Sequence, residues 1–115
     1  MCCATFTRKN NNTLRLARQM AYQLEKEGAK HDIVDFREYD LPSFNDRFLN
    51  RNELTEFQEH LISSWAKADL IIVLTPEYNW FPTAEIINTV NHLGSDLNKD
   101  LWDNKVFAFA GVSTG

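Results

Sequence analysis

The chain is poor in the residues that build staples, hinges and special backbone turns: 2 cysteines, 4 glycines and 3 prolines in 115 residues. Cys2 and Cys3 are adjacent, which excludes a disulfide framework and every multi-cysteine zinc pattern and fits a reducing, cytoplasmic compartment. No stretch approaches the roughly 18 consecutive apolar residues of a membrane span, and no basic region followed by an apolar run opens the chain. Membrane insertion and processing are therefore not expected. The net charge of -4 gives no field to draw nucleic acid or an anionic membrane. Neither G-x-x-x-x-G-K-[ST] nor G-x-G-x-x-G occurs, so a nucleoside-triphosphate loop and the dinucleotide fingerprint are both excluded. His31, His60 and His92 have no cysteine or carboxylate at ligand spacing, and no metal site is expected.

What remains is an apolar content of 43%, enough for one domain over residues 1–115 that buries about two-thirds of its unfolded surface. The pattern alternates. Residues 1–6 read as a short buried strand. Leu14, Ala17, Met20, Ala21 and Leu24 then recur at helical spacing, with Asn12 or Thr13 to cap the start and Gly28 where the helix stops. Residues 31–36 predict a second strand, and Pro42 marks a loop. Leu54, Phe57, Leu61, Trp65 and Ala68 predict a second helix with Trp65 in the core. Residues 70–74, Leu-Ile-Ile-Val-Leu, are the clearest strand and stop at Thr75-Pro76. Ile86, Val90, Leu93 and Leu97 predict a third helix, and residues 106–110 a fourth strand ending at Gly111. Continuous apolar strands separated by helices imply an α/β fold with a parallel sheet between helix layers. Ligands of such sheets bind outside the carboxyl ends of the strands, which points to the loops at residues 7–13, 75–82 and 111–115.

Each loop has chemistry to offer. The first carries Thr7, Arg8, Lys9, Asn10, Asn11, Asn12 and Thr13 directly before a helix. A guanidinium, short polar side chains and free backbone N–H groups at a helix start suit a phosphate, although a polar turn that merely caps the helix would read the same. The second, Thr75-Pro76-Glu77-Tyr78-Asn79-Trp80-Phe81-Pro82, holds three aromatic rings in a backbone fixed by two prolines. It suits a planar ligand, or alternatively a subunit contact. The third, Gly111-Val112-Ser113-Thr114-Gly115, lets backbone approach a ligand closely and adds two hydroxyls.

These residues resemble the NAD(P)H-dependent FMN reductases, a flavodoxin-like family that includes quinone, chromate and azo-dye reductases. A-D-L-I-I-V-L-T-P-E-Y-N at residues 68–79 carries the strongest likeness, and Ala84 and Asn88 match the helix that follows. The stretch from Thr5 through Arg8 and Asn11 to Thr13 is similar to the family's phosphate loop G-S-x-R-x-x-S-x-[NT], with Thr5-Phe6 in place of Gly-Ser. D-F-R-E-Y-D-L-P at residues 35–42 is similar to D-L-R-x-x-x-L-P, and G-V-S-T-G at 111–115 to G-x-S-G-G. The resemblance spans nearly the whole chain. It implies a three-layer α/β/α fold with sheet order 2-1-3-4 and, against the family's usual length, no fifth strand or last helix.

By the same resemblance the chain is an enzyme that passes hydride from NAD(P)H through FMN to a small acceptor. Arg8, Asn11, Asn12 and Thr13 would hold the phosphate, with Thr7 supplying the hydroxyl that Phe6 lacks. Pro76, Glu77, Tyr78 and Asn79 would line the ribityl chain and ring, and Ser113, Thr114 and Gly115 would close the other side. The flavin carries the redox chemistry, so no side chain is expected as catalytic acid or base. The alternative is a truncated or degenerate domain that serves as a non-catalytic interaction module. An acidic cluster after the first strand, which a receiver domain needs, is absent at Ala4-Thr5-Phe6. With sheet order 2-1-3-4, residues 106–110 form an apolar edge. The expectation is that this chain either is part of a longer protein or assembles as a dimer or tetramer.

Overall fold

The computed structural model describes residues 2–4, 12–76, 81–94 and 96–112, with the backbone alone for 2–4, 96 and 97. Four strands and three α-helices alternate along it: β1 (Cys2–Ala4), α1 (Asn12–Lys26), β2 (Ile33–Asp35), α2 (Glu56–Lys67), β3 (Leu70–Pro76), α3 (Ala84–Leu93) and β4 (Val106–Val112). All pairings are parallel. β1 lies between β2 and β3, and β4 pairs along the other edge of β3.

β3 organises the interior because its side chains alternate between two cores. Ile71 and Val73 join Leu61, Trp65 and Leu93 of α2 and α3, together with Val34 and Phe36. Ile72 and Leu74 join Leu14 and Ala17 of α1. Helices thus cover both faces of the sheet. α1 ends as its sequence dictates: Gly28 takes φ 76°, its N–H donates to the Glu25 carbonyl, and the Ala29 N–H reaches back to Leu24. This is a Schellman cap, which needs the left-handed conformation that glycine adopts without strain.

Local polar chemistry moves three element ends from where apolar spacing puts them. The second strand stops at Asp35, because the Asp35 carboxylate accepts from the Arg37 N–H at 2.9 Å and turns Phe36–Glu38 into a 3-10 helix. α2 starts after Leu54, where Thr55 and Gln58 form a reciprocal capping box. α3 stops at Gly94, so Leu97 falls in a separate 3-10 segment at Asp96–Leu101. The buried face of α3 also differs from the apolar stripe. Thr89 is fully buried with its hydroxyl donated to the Glu85 carbonyl at 2.7 Å, while Val90 stands exposed. β3 and β4 run on to Pro76 and Val112, beyond the expected ends at Leu74 and Ala110.

Candidate functional site

Parallel pairing sends every strand's carboxyl end to the same edge of the sheet. Ala4 aligns with Leu74 and Leu74 with Ala110, so the chain leaves β1, β3 and β4 at neighbouring points on that edge. At about 4.8 Å between strands, these three exits span roughly 10 Å. β2 ends beside β1, with Asp35 aligned to Ala4.

α1 begins at this edge with Asn12 exposed and Thr13 buried. Its first turn contains no carboxylate, so no acidic side chain within the helix offsets the positive end of its dipole. The nearby Asp35 carboxylate is already engaged. Partial burial pushes its pKa up, but the Arg37 side chain and N–H hold it below the usual carboxylate range. Two of those bonds, from Arg37 Nε and Nη2 to Asp35 Oδ2, measure 2.9 and 2.6 Å.

Between the ends of β3 and β4 lies a cleft of about 350 Å³ lined by Thr75, Pro76, Phe81, Pro82, Phe109, Ala110 and Gly111. Its size and mainly apolar lining are those of a small-molecule site. Phe81 and Phe109 are 68% and 65% exposed, an unusual state for two aromatic rings beside one cleft. The cleft's polar member is Thr75, whose hydroxyl donates to the Pro76 carbonyl at 3.1 Å and accepts from the Thr83 N–H at 3.2 Å. Thr83 in turn caps α3, accepting from the Ile86 N–H.

Of the residues expected at the site, Asn12, Thr13 and Pro76 fall among the described residues. The first two stand at the start of α1 and the third at the last position of β3. Thr7, Arg8, Asn11, Glu77, Tyr78, Asn79, Ser113, Thr114 and Gly115 lie outside the described residues. Sequence reasoning placed Phe109 and Ala110 in an apolar edge strand but not among the site residues, although both line the cleft. It also passed over the pairing of Thr75 with Thr83, whose only signal was a threonine three residues before Ile86.

A larger groove of about 450 Å³ lies between the 39–44 segment and α3, but no strand residue lines it. That segment is fixed by Asn88: Oδ1 accepts from the Phe44 N–H at 2.8 Å, while Nδ2 donates to the Tyr39 hydroxyl and the Pro42 carbonyl. His92 Nε2 donates to the same carbonyl at 2.6 Å. Ahead of β2, Asp32 Oδ2 accepts from His60 Nε2 at 2.6 Å and from the Ser64 hydroxyl. The fold therefore gives His60 a carboxylate partner 28 residues away in sequence. Among the described residues no three histidine, cysteine or carboxylate side chains meet as a metal site would require, and no helix is long and apolar enough to cross a membrane.

A family model described as NADPH-dependent FMN reductase matches residues 5–115 of the chain. Comparison with curated proteins gives no match.

Proposed function

The chain belongs to the NADPH-dependent FMN reductase family, and from that membership and the geometry of the strand ends we propose that it is an FMN-dependent oxidoreductase using NADH or NADPH. The observation that carries this reading is the cleft between β3 and β4, open at the same edge as the acid-free start of α1. A phosphate and a planar ring joined by a short polar chain need such an arrangement: an anion site and an apolar slot, side by side at the strand ends. In this reading the domain is flavodoxin-like, with order 2-1-3-4 over residues 1–115.

When bound, FMN supplies the redox chemistry, accepting hydride from NAD(P)H and passing reducing equivalents to a small acceptor such as free flavin, a quinone, chromate or an azo compound. The chain's own residues bind and orient it. Arg8 offers a planar, permanently charged fork to the phosphate, and Thr7, Asn11, Asn12 and Thr13 add short donors at the helix start. Pro76, Glu77, Tyr78 and Asn79 present backbone and rings to the isoalloxazine. Ser113, Thr114 and Gly115 close the far side, where small residues let the backbone approach. Apolar walls at Phe81, Pro82 and Phe109 exclude water from one side of the slot. The exposed Val106 and Phe109 of β4 support assembly into a dimer or tetramer, and a reducing cytoplasm is the compartment this chemistry suits.

The test is direct. Titration with FMN is expected to give a saturating change in flavin absorption and fluorescence, a raised melting temperature, and FMN-dependent oxidation of NADH or NADPH. A titration to millimolar FMN with neither a spectral change nor a thermal shift would sink the reading.

A further inference from the structure

Thr75 is no ligand in the reading above, yet it occupies the position that controls the ligand-bearing segment. Its side chain is 8% exposed and closes two hydrogen bonds at once: its hydroxyl proton goes to the Pro76 carbonyl, and its lone pair takes the N–H of Thr83, itself 2% exposed. Pro76 is the last residue of β3, and Thr83 is the N-cap of α3. Eight residues of chain thus start and finish on one oxygen atom.

We propose that Thr75 is a positioning residue whose hydroxyl fixes both ends of the 76–83 connection and thereby presets that connection for the flavin. The inference rests on the reading of this edge as a flavin site. Its physical basis is pre-organisation. A connection of this length with free ends would lose conformational freedom on binding, and tying its ends beforehand removes part of that cost from the binding step. The tie is also directional. The Thr83 N–H polarises the Thr75 hydroxyl, which strengthens its donation to Pro76 and sets the orientation of the Pro76 carbonyl at the cleft wall. Without the hydroxyl, the Thr83 N–H is a buried donor with its acceptor removed, and the start of α3 shifts or frays to find another.

Two substitutions separate this role from packing. Thr75→Val keeps the β-branched shape that suits a strand but removes both hydrogen bonds, whereas Thr75→Ser keeps the hydroxyl and removes the methyl group. Amide hydrogen exchange of the 76–83 segment in FMN-free protein is expected to quicken in Thr75→Val and to stay near wild type in Thr75→Ser. The FMN dissociation constant is expected to rise roughly tenfold in Thr75→Val and by less than about twofold in Thr75→Ser, the scale of one buried hydrogen bond. Thr75→Ala, which adds no bulk, should repeat the Thr75→Val result and serves in its place if the valine variant does not fold. Wild-type binding of FMN with unchanged affinity in Thr75→Val, or a serine variant as weak as the valine one, would overturn the positioning role while leaving the flavin site standing. Failure of wild-type protein to bind FMN would instead overturn the flavin site, and this inference with it.

Discussion

On the face of the sheet covered by α2 and α3, Trp65 is 1% exposed, donates Nε1–H to the Leu101 carbonyl at 2.6 Å, and meets the rings of Trp102 and Phe107. On the face covered by α1, the buried cluster among the described residues consists of Leu14, Ala17, Ile72 and Leu74 and contains no aromatic ring. Strand alternation points Val106 to that same side as Ala110, and Val106 is 65% exposed. The two faces divide the labour. The aromatic face supplies cohesion and anchors the connection between β2 and α2. Among the described residues the buried cluster of the α1 face is wholly aliphatic, and the 15-residue α1 that supplies half of it starts at the edge where the strands end.

The comparison is broken most directly by truncating one side chain on each face. Trp65→Ala is expected to cost about 4 kcal/mol in urea denaturation, since it leaves a ring-sized cavity and an unpaired Leu101 carbonyl, whereas Leu14→Ala is expected to cost about 2 kcal/mol. Equal losses would mean that the α1 face holds the fold as firmly as the aromatic one. A second, smaller effect tests whether the aromatic face reaches beyond its helices. Residues 39–44 have no regular structure, yet Asn88 satisfies both a backbone donor and a backbone acceptor in them. Asn88→Ala is expected to lower stability by roughly 1–2 kcal/mol and to quicken amide exchange at Phe44, because its N–H loses a partner that water must replace. A loss below about 0.5 kcal/mol would show that ring contacts such as Phe44 with His92 hold the segment without the amide.

Apolar spacing in the sequence was enough to read the alternation of elements and the core role of Trp65, because strands buried on both faces are unbroken apolar runs and each helix shows a stripe. The stripe failed at α3 for a physical reason. Thr89 hides its polarity in a bond to the carbonyl one turn back, so it can be buried where Val90 was expected. The exposure of Phe109, by contrast, was legible once the resemblance gave the strand order, which puts residues 106–110 at an apolar edge. V-F-A-F-A has the same composition at the centre of a sheet as at its edge, and only strand order distinguishes the two. At the candidate site, the resemblance of the loops told more than any pattern did. The clasp of Thr75 on Thr83 depends on a chain reversal that brings residues eight apart to 3.2 Å.

The smallest expected effect concerns the polar link between β2 and the aromatic face. Asp32 joins the residue before β2 to His60 and Ser64 on α2. Partial burial pushes its carboxyl pKa up, yet the hydrogen bonds from Ser64 and His60 outweigh this and leave it below the ordinary value of 3.8. A carboxylate whose pKa is lower in the folded protein binds its proton later there than in the unfolded chain. Its contribution is therefore complete above the unfolded value and disappears as pH falls through the folded one. Asp32 is nearly half exposed, 46% at the side chain, so solvent screening limits the contribution to under about 1 kcal/mol. Urea midpoints for wild type and Asp32→Asn should thus differ slightly at pH 7 and converge as acid takes the pH below the ordinary carboxylate range. If the difference instead persists into acid, the link acts through packing of the side chain rather than through its charge. Cohesion between β2 and α2 would then come from the apolar core alone, and the contrast between the two faces would rest entirely on buried surface.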